Sequence, residues 1–203
     1  MGDTEVRRED IEWCDIWIPQ ARASHLPRLL MVGDSITRAY FNDVEKTLKD
    51  RWLCGRLATS RSVCDRAFLK ELNLVLDDYP VAMIHFNNGL HGWDYSESEY
   101  GEHLDQAVRA ILERRPASRL VLATSTPVRR TGNLLAMDAV TARVIERNRR
   151  VAQVAARHHL PVNDLFAVIQ DHPEHYSPDG VHLNSAGDAL LGGHVGNFIT
   201  TLL

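Results

Sequence analysis

A serine near one end of the chain and a histidine near the other are residue types that nucleophilic chemistry needs. Ser35 follows Gly33-Asp34 and an apolar run, and His182 lies three residues after Asp179. A serine hydroxyl is a weak nucleophile until an imidazole takes its proton, and a carboxylate fixes the tautomer of that imidazole. We therefore expect Ser35 to be the nucleophile, His182 the general base and Asp179 the orienting carboxylate. The alternative is that Ser35 only caps a helix beginning near Ile36.

Strand-like and helix-like patterns alternate between these residues. Apolar runs predict strands over 28–32, 52–57, 81–86, 120–124 and 161–163. Helical spacing of apolar residues predicts helices around 68–75, 100–112, 140–154 and 186–203. This alternation predicts a three-layer α/β/α sandwich with a central, mostly five-stranded parallel sheet. Ligands of such sheets bind at the carboxyl ends of the strands, where Ser35 lies.

Composition limits the classes of partner. The chain has 203 residues, of which 44% are hydrophobic and 25% charged, which is typical of one soluble domain. A net charge of −4 without a basic patch excludes nucleic acid as the expected partner, and no apolar run approaches a membrane span. Three cysteines without CxxC spacing and an N-terminus without an apolar leader predict a reduced, cytoplasmic protein.

Residues 1–27 do not follow the alternation. We divide the chain into an N-terminal arm over 1–27 and a single domain over 28–203. The arm carries Trp13 and Trp17 among apolar residues, which favours packing over part of the sheet or over a helix. The alternatives are a contact with a second copy, which would make a homo-oligomer, and a wall of the substrate pocket.

Gly33-Asp34-Ser35 after a first strand, with Asp179-x-x-His182 before a last helix, resembles the GDSL/SGNH hydrolases. These are esterases and lipases with a flavodoxin-like α/β/α fold. The resemblance extends from about residue 28 to about residue 200. The G-x-S-x-G elbow of the larger α/β-hydrolase fold is absent from the sequence. The resemblance implies a serine hydrolase acting on ester bonds, with neither cofactor nor metal.

The family also has two donors for the oxyanion of the tetrahedral intermediate, and this chain departs from both patterns. Ser62 lies where the family has a glycine, and we expect it to donate its backbone N–H. Where the family has Gly-x-Asn-Asp, residues 87–92 read Asn-Asn-Gly-Leu-His-Gly. His91 takes the place of the family asparagine in one register, and Asn88 donates in the other. Either side chain can donate to an oxyanion.

The resemblance implies a small-molecule ester as substrate. We favour a short acyl group, namely acetyl, on a carbohydrate-like alcohol, because no long apolar loop is visible that would build an acyl channel. The alternatives are a non-catalytic ligand-binding module on the same fold, or an acyltransferase or lipase using the same three residues. His158, His159, His172 and His175 lack a recognised ligand spacing, so we expect no metal site.

Overall fold

The computed structural model describes residues 6–202. Its strands form a six-stranded sheet and a separate two-stranded hairpin. The strands are β1 (Cys14–Trp17), β2 (Arg28–Gly33), β3 (Leu53–Thr59), β4 (Met83–Phe86), β5 (Arg119–Ala123), β6 (Arg129–Arg130), β7 (Asn133–Met137) and β8 (Val162–Asn163). The large sheet has the order β1-β3-β2-β4-β5-β8, and β6 pairs with β7. All neighbours in the large sheet are parallel except β1, which runs antiparallel to β3.

Helices cover both faces of this sheet. They are α1 (Ser35–Leu48), α2 (Arg66–Asp78), α3 (Glu97–Arg114), α4 (Thr141–Arg157), α5 (Leu165–Ile169) and α6 (Ser185–Thr201). Apolar residues of α2 and α3 contribute to one core cluster, those of α1, α5 and α6 contribute to the other, and α4 contributes to both. The predicted three-layer α/β/α fold with a mostly parallel sheet is therefore confirmed.

Burial on both faces explains why the central strands could be recognised. Leu30 and Val32 of β2 pack into one core cluster, whereas Leu29 and Met31 pack into the other. Strands buried on both sides read as continuous apolar runs instead of alternating ones. Burying each of these side chains contributes about 1.5–3 kcal/mol to stability. The five predicted strands all form, and their ends lie within two residues of the predicted ones.

The elements that were not predicted include β1, the β6–β7 hairpin and α5. β1 pairs with β3 through the backbone, from Cys14 opposite Thr59 to Trp17 opposite Arg56. Because Trp17 is exposed at the sheet edge, this segment has neither an alternating nor a buried pattern. The division into an arm and a domain, and the contact of the arm with a second copy, stay predictions.

No helix among residues 6–202 combines the length and the apolarity needed to cross a membrane.

Candidate active site

The turn between β2 and α1 presents Ser35 as the first residue of a helix. Asp34 is the N-cap of α1, and its Oδ1 accepts the backbone N–H of Ile36 at 2.9 Å. The cap is therefore Asp34, which leaves the Ser35 hydroxyl free for other partners. A Cβ on Gly33 would lie 2.0 Å from the Thr37 hydroxyl oxygen, so this turn requires a glycine.

Ser35, His182 and Asp179 form a hydrogen-bonded chain. Ser35 Oγ lies 2.9 Å from His182 Nε2, and His182 Nδ1 lies 2.7 Å from Asp179 Oδ2. The second carboxylate oxygen of Asp179 accepts the backbone N–H groups of Val181 and His182, each at 2.9 Å. The structure thus brings together the three residues that the sequence singles out, although Ser35 and His182 are 147 positions apart in the sequence.

The electrostatics of Asp179 suit an orienting role. Burial raises its pKa, but hydrogen bonds from the His182 ring and from the backbone N–H groups of Val181 and His182 outweigh burial, so the pKa lies below its usual value. An ionised carboxylate can only accept, so the ring hydrogen lies on Nδ1 of His182. In the neutral ring Nε2 is then free to accept the proton of Ser35.

The β6–β7 hairpin braces the loop that carries Asp179 and His182. The backbone N–H of Arg129 donates to Gly180 O at 2.7 Å, and Thr131 Oγ1 donates to Asp179 O at 3.0 Å. Gly180 has φ +75°, and a Cβ there would lie 2.0 Å from the carbonyl oxygen of Arg129. A glycine is needed at this position both for the backbone conformation and for the close approach.

Asn88 joins the two loops on the other side of the site. Its Oδ1 accepts the backbone N–H of Val63 at 3.1 Å, and its Nδ2 donates to Arg61 O at 2.8 Å. Ser62 lies between these two residues, and within residues 6–202 no acceptor binds its backbone N–H. Asn88 therefore holds the strand-end loop in place, and the N–H of Ser62 stays available.

His91 lies within electrostatic reach of the nucleophile turn. Burial raises the pKa of Asp34, and the charges of His91 and His182 both oppose that rise. Nδ1 of His91 lies 2.9 Å from Glu9 Oε1, and its ring meets the Trp13 ring edge to face at 6.3 Å. The Nδ2 group of Asn88 has two hydrogens, of which one is bound to Arg61 O. Asn88 and His91 therefore both stay predictions for the second oxyanion donor.

Sequence analysis missed Arg147, which is completely buried. Its guanidinium donates to the carbonyl oxygens of Gly89 (3.0 Å), His91 (2.7 Å) and Gly92 (2.9 Å) and lies 4.3 Å from the centroid of the Trp93 ring. It thereby fixes the backbone of the loop that carries His91. One signal was available in the sequence: Arg147 is spaced three residues after Val144 and four before Val151, on the apolar stripe of α4.

The charged residues of the arm were also missed. They line a cavity of about 260 Å³ together with residues of the loops that follow β3 and β4, which we call the oxyanion-side loops. The lining includes Arg7, Arg8, Glu9, Ser62, His91 and Trp93. A larger cavity, about 770 Å³, lies at the amino ends of the strands and contains none of the site residues. The smaller cavity contains Ser62 and His91, and neither Ser35 nor His182 is among the residues that line it.

Three of the other histidines, His158, His172 and His175, lie next to carboxylates. His158 Nε2 lies 2.8 Å from Asp105 Oδ1. Ligand atoms of His172, Glu174 and His175 lie within 4.8 Å of one another, and Nδ1 of His172 is 3.0 Å from Glu174 Oε1. The expected absence of a metal and of a cofactor stays a prediction.

Comparison with known proteins identifies the family of this chain. The chain belongs to the GDSL-like Lipase/Acylhydrolase family, whose model matches residues 31–190 and so spans Ser35, both oxyanion-side loops and His182. The resemblance to GDSL/SGNH hydrolases is therefore confirmed. No curated protein matches the chain in sequence.

Solved structures with the same fold include esterases. An aryl esterase from M. smegmatis superposes with a TM-score of 0.72 at 15% identity, over 87% of this chain and 100% of the other. A carbohydrate acetylesterase from Sinorhizobium meliloti gives a TM-score of 0.71 at 14% identity, over 87% and 100%. An acetyl xylan esterase gives 0.67 at 15% identity, over 85% and 99%. At these identities the likeness shows a shared fold.

Proposed function

We propose that this protein is a serine esterase that hydrolyses carboxylic esters through an acyl-enzyme on Ser35. The observation that carries the proposal is the hydrogen-bonded chain from Ser35 Oγ through His182 to Asp179, with distances of 2.9 and 2.7 Å. A nucleophile within hydrogen-bond reach of a base that a third group orients is the arrangement that activates a serine.

Each step has a residue to perform it. Ser35 Oγ attacks the ester carbonyl while His182 Nε2 takes its proton, and the negative charge moves to the carbonyl oxygen. The backbone N–H groups of Ser35 and Ser62 and the side chain of His91 stabilise that oxyanion. Collapse of the intermediate breaks the bond to the alcohol, which leaves with the proton from His182. Water then gives a proton to His182 and attacks the acyl group, which regenerates Ser35 and releases the acid.

The substrate that we propose is a short-chain ester, namely acetyl, of a carbohydrate-like alcohol. The cavity beside His91 is small, about 260 Å³. Charged groups of Arg7, Arg8 and Glu9 and the ring of Trp93 line it, and these side chains suit hydroxyl groups and a sugar face better than a long acyl chain. Two proteins of the same fold are described as acetyl esterases of carbohydrate or xylan.

The test is hydrolysis of p-nitrophenyl acetate, butyrate and octanoate by wild type and by Ser35→Ala. We expect acetate to be the best substrate and the variant to lose at least about 10⁴-fold in kcat. Ser98→Ala, an exposed serine on α3, is the matched control and should keep wild-type rates.

Equal rates in wild type and Ser35→Ala would contradict the proposal and favour a binding module. A preference for octanoate would contradict the acetyl specificity and favour a lipase. Transfer of the acetyl group to an added alcohol in preference to water would favour an acyltransferase. Location in the cytoplasm stays a prediction.

A further inference from the structure

Three residues with metal-ligating side chains lie together on the segment that precedes Asp179 and His182. His172, Glu174 and His175 each offer one ligand atom, and these atoms lie within 4.8 Å of one another. Glu174 Oε1 is 3.0 Å from His172 Nδ1 and 3.8 Å from His175 Nε2. Ligand atoms of a tetrahedral zinc site, at bond lengths of about 2.0–2.1 Å, are about 3.3 Å apart. The two distances in this structure lie on either side of that value.

The local backbone explains why these side chains share one face. Pro173 begins a single 3₁₀ turn, Pro173–His175, which has His172 as its N-cap. Side chains three positions apart eclipse one another in a 3₁₀ helix, and the rings of His172 and His175 accordingly stack with their centroids 5.1 Å apart. The sequence predicts no metal here because the recognised ligand spacings belong to α-helices and metal-binding loops, and a 3₁₀ turn arranges the same residue types differently.

Hydrogen bonds from the N-cap of α6 hold the backbone of the cluster in place. The side-chain amide of Asn184 donates to Glu174 O at 2.7 Å, and the backbone N–H of Asn184 donates to His175 O at 2.9 Å. Pro173 has a fixed φ, which removes further conformational freedom. A set of ligands that is already in position binds a metal with a smaller loss of conformational entropy than a mobile set.

The types of ligand atom favour a particular metal. Two imidazole nitrogens and one carboxylate oxygen suit Zn²⁺, whereas Mg²⁺ and Ca²⁺ prefer oxygen ligands alone. Three protein ligands leave the fourth position of a tetrahedral site for water. The side chains of His172 and Glu174 are 43% and 59% exposed, so a metal ion and its water can both reach the cluster from solvent.

The cluster and the turn that contains Asp179 are joined through the backbone. Tyr176 forms an isolated antiparallel bridge with Leu183, and the backbone N–H of Ser177 donates to His182 O at 2.8 Å. The segment that follows the cluster is therefore one side of this turn, and the segment that begins at His182 is the other. A metal ion that fixes the first segment would oppose opening of the turn.

We propose that His172, Glu174 and His175 bind Zn²⁺, and that the bound metal stabilises the turn that carries Asp179 and His182. None of the three ligands belongs to the hydrogen-bonded chain that starts at Ser35. The metal therefore takes no part in the proposed ester hydrolysis, and the proposal does not depend on that function.

The direct test is isothermal titration of the protein with Zn²⁺ at neutral pH, after treatment with a chelator and its removal. We expect one Zn²⁺ per chain in wild type. Loss of a partner that only orients a metal ligand lowers affinity about 10- to 100-fold, so His172→Ala and His175→Ala should each lower it at least about tenfold. His25→Ala is the matched control, because His25 is exposed and lies outside the cluster, and it should bind Zn²⁺ as wild type does.

Two outcomes of the titration would overturn the proposal. Equal affinity in wild type, His172→Ala and His175→Ala would place the metal elsewhere on the chain. No binding in wild type would show that the cluster is a histidine–glutamate ion pair only. The melting temperature of each variant without metal shows whether it is folded, and we expect wild-type values because the substituted side chains are partly exposed.

Hydrogen exchange tests the effect of the metal on the turn. The backbone N–H groups of Ser177 and Asn184 bind across it, so they exchange when it opens. With free Zn²⁺ at about ten times its dissociation constant, exchange of both should slow about tenfold in wild type and stay unchanged in His175→Ala. Exchange that Zn²⁺ does not slow in wild type would overturn the stabilising role of the metal. Neither experiment needs turnover, so failure of the proposed esterase activity would leave both results standing.

Discussion

The hydrogen bonds that cap Ser35's helix and orient the His182 ring are local in sequence, whereas the groups that bind His91 are far away in sequence. The carboxylate of Asp179 is three positions from the ring that it orients. The ring of His91 binds Glu9, 82 positions away, and its carbonyl binds Arg147, 56 positions away. The Ser35 turn and the Asp179–His182 pair can therefore each be assembled from local sequence, although the fold must bring them together over 147 positions, whereas the contacts of His91 are all long-range.

The two sides also differ in burial. The side chains of Asp179 and His182 are about half exposed, at 51% and 47%, whereas Arg147 is completely buried. Loss of an exposed side chain leaves little unsatisfied, whereas loss of a buried guanidinium strands the carbonyl groups that it binds. Substitutions of Asp179 or His182 should therefore reduce activity alone, and substitution of Arg147 should also reduce stability.

The largest effect on stability should come from Arg147→Met. The substitution leaves the carbonyl oxygens of Gly89, His91 and Gly92 without their donor, so we expect a loss of about 3–5 kcal/mol in the free energy of unfolding. Chemical denaturation measures it. Arg149→Met is the matched control on the exposed face of α4 and should change stability by less than about 0.5 kcal/mol. Equal stability of the two variants would remove the distinction between the two sides.

A smaller effect should come from removing the side-chain donor itself. We expect His91→Ala to lower kcat about 10²–10³-fold, or about 3 kcal/mol, because an oxyanion loses one hydrogen bond. Asn88→Ala should instead act through stability, since both ends of its amide bind the backbone of the loop after β3. Steady-state kinetics and thermal unfolding of both variants separate these outcomes, and a larger kcat loss for Asn88→Ala with normal stability would assign the donor to Asn88.

The smallest effect concerns a carboxyl group on the nucleophile side. Burial, with a further contribution from Asp43, raises the pKa of Asp188 in α6 to about 6. This pKa lies above the pKa of the same carboxyl group in the unfolded chain. The contribution of the protonated carboxyl group to the stability of the fold is therefore complete below about pH 4 and is lost as the pH rises through about 6. Asp188→Asn should therefore be more stable than wild type at pH 8 by about 1 kcal/mol, a figure reduced for its partial exposure.

Chemical denaturation of wild type and of Asp188→Asn at pH 4 and pH 8 measures the free energy of unfolding that this prediction concerns. The difference in stability should be present at pH 8 and absent at pH 4. A difference that is the same at both values would show that the carboxyl group does not titrate as its surroundings indicate.

The parts of the structure that could be predicted have a signal in the local sequence. The central strands are buried on both faces and so read as apolar runs, and Ser35, Asp179 and His182 belong to short motifs. The arm contacts and the bonds of Arg147 join residues 47 to 88 positions apart through polar groups. Charged residues such as Arg7 and Glu9 read locally as solvated surface, and only the tertiary fold shows their partners.

The most direct test of the account is to trap the acyl-enzyme. Wild type and Ser35→Ala would be mixed with p-nitrophenyl acetate, quenched with acid during turnover, digested and analysed by mass spectrometry. We expect an acetyl group on the peptide that contains Ser35 in wild type, and none on that peptide in the variant. Turnover with no acetyl group on Ser35, or with acetylation at another residue that accounts for the turnover, would contradict the assignment of Ser35 as nucleophile.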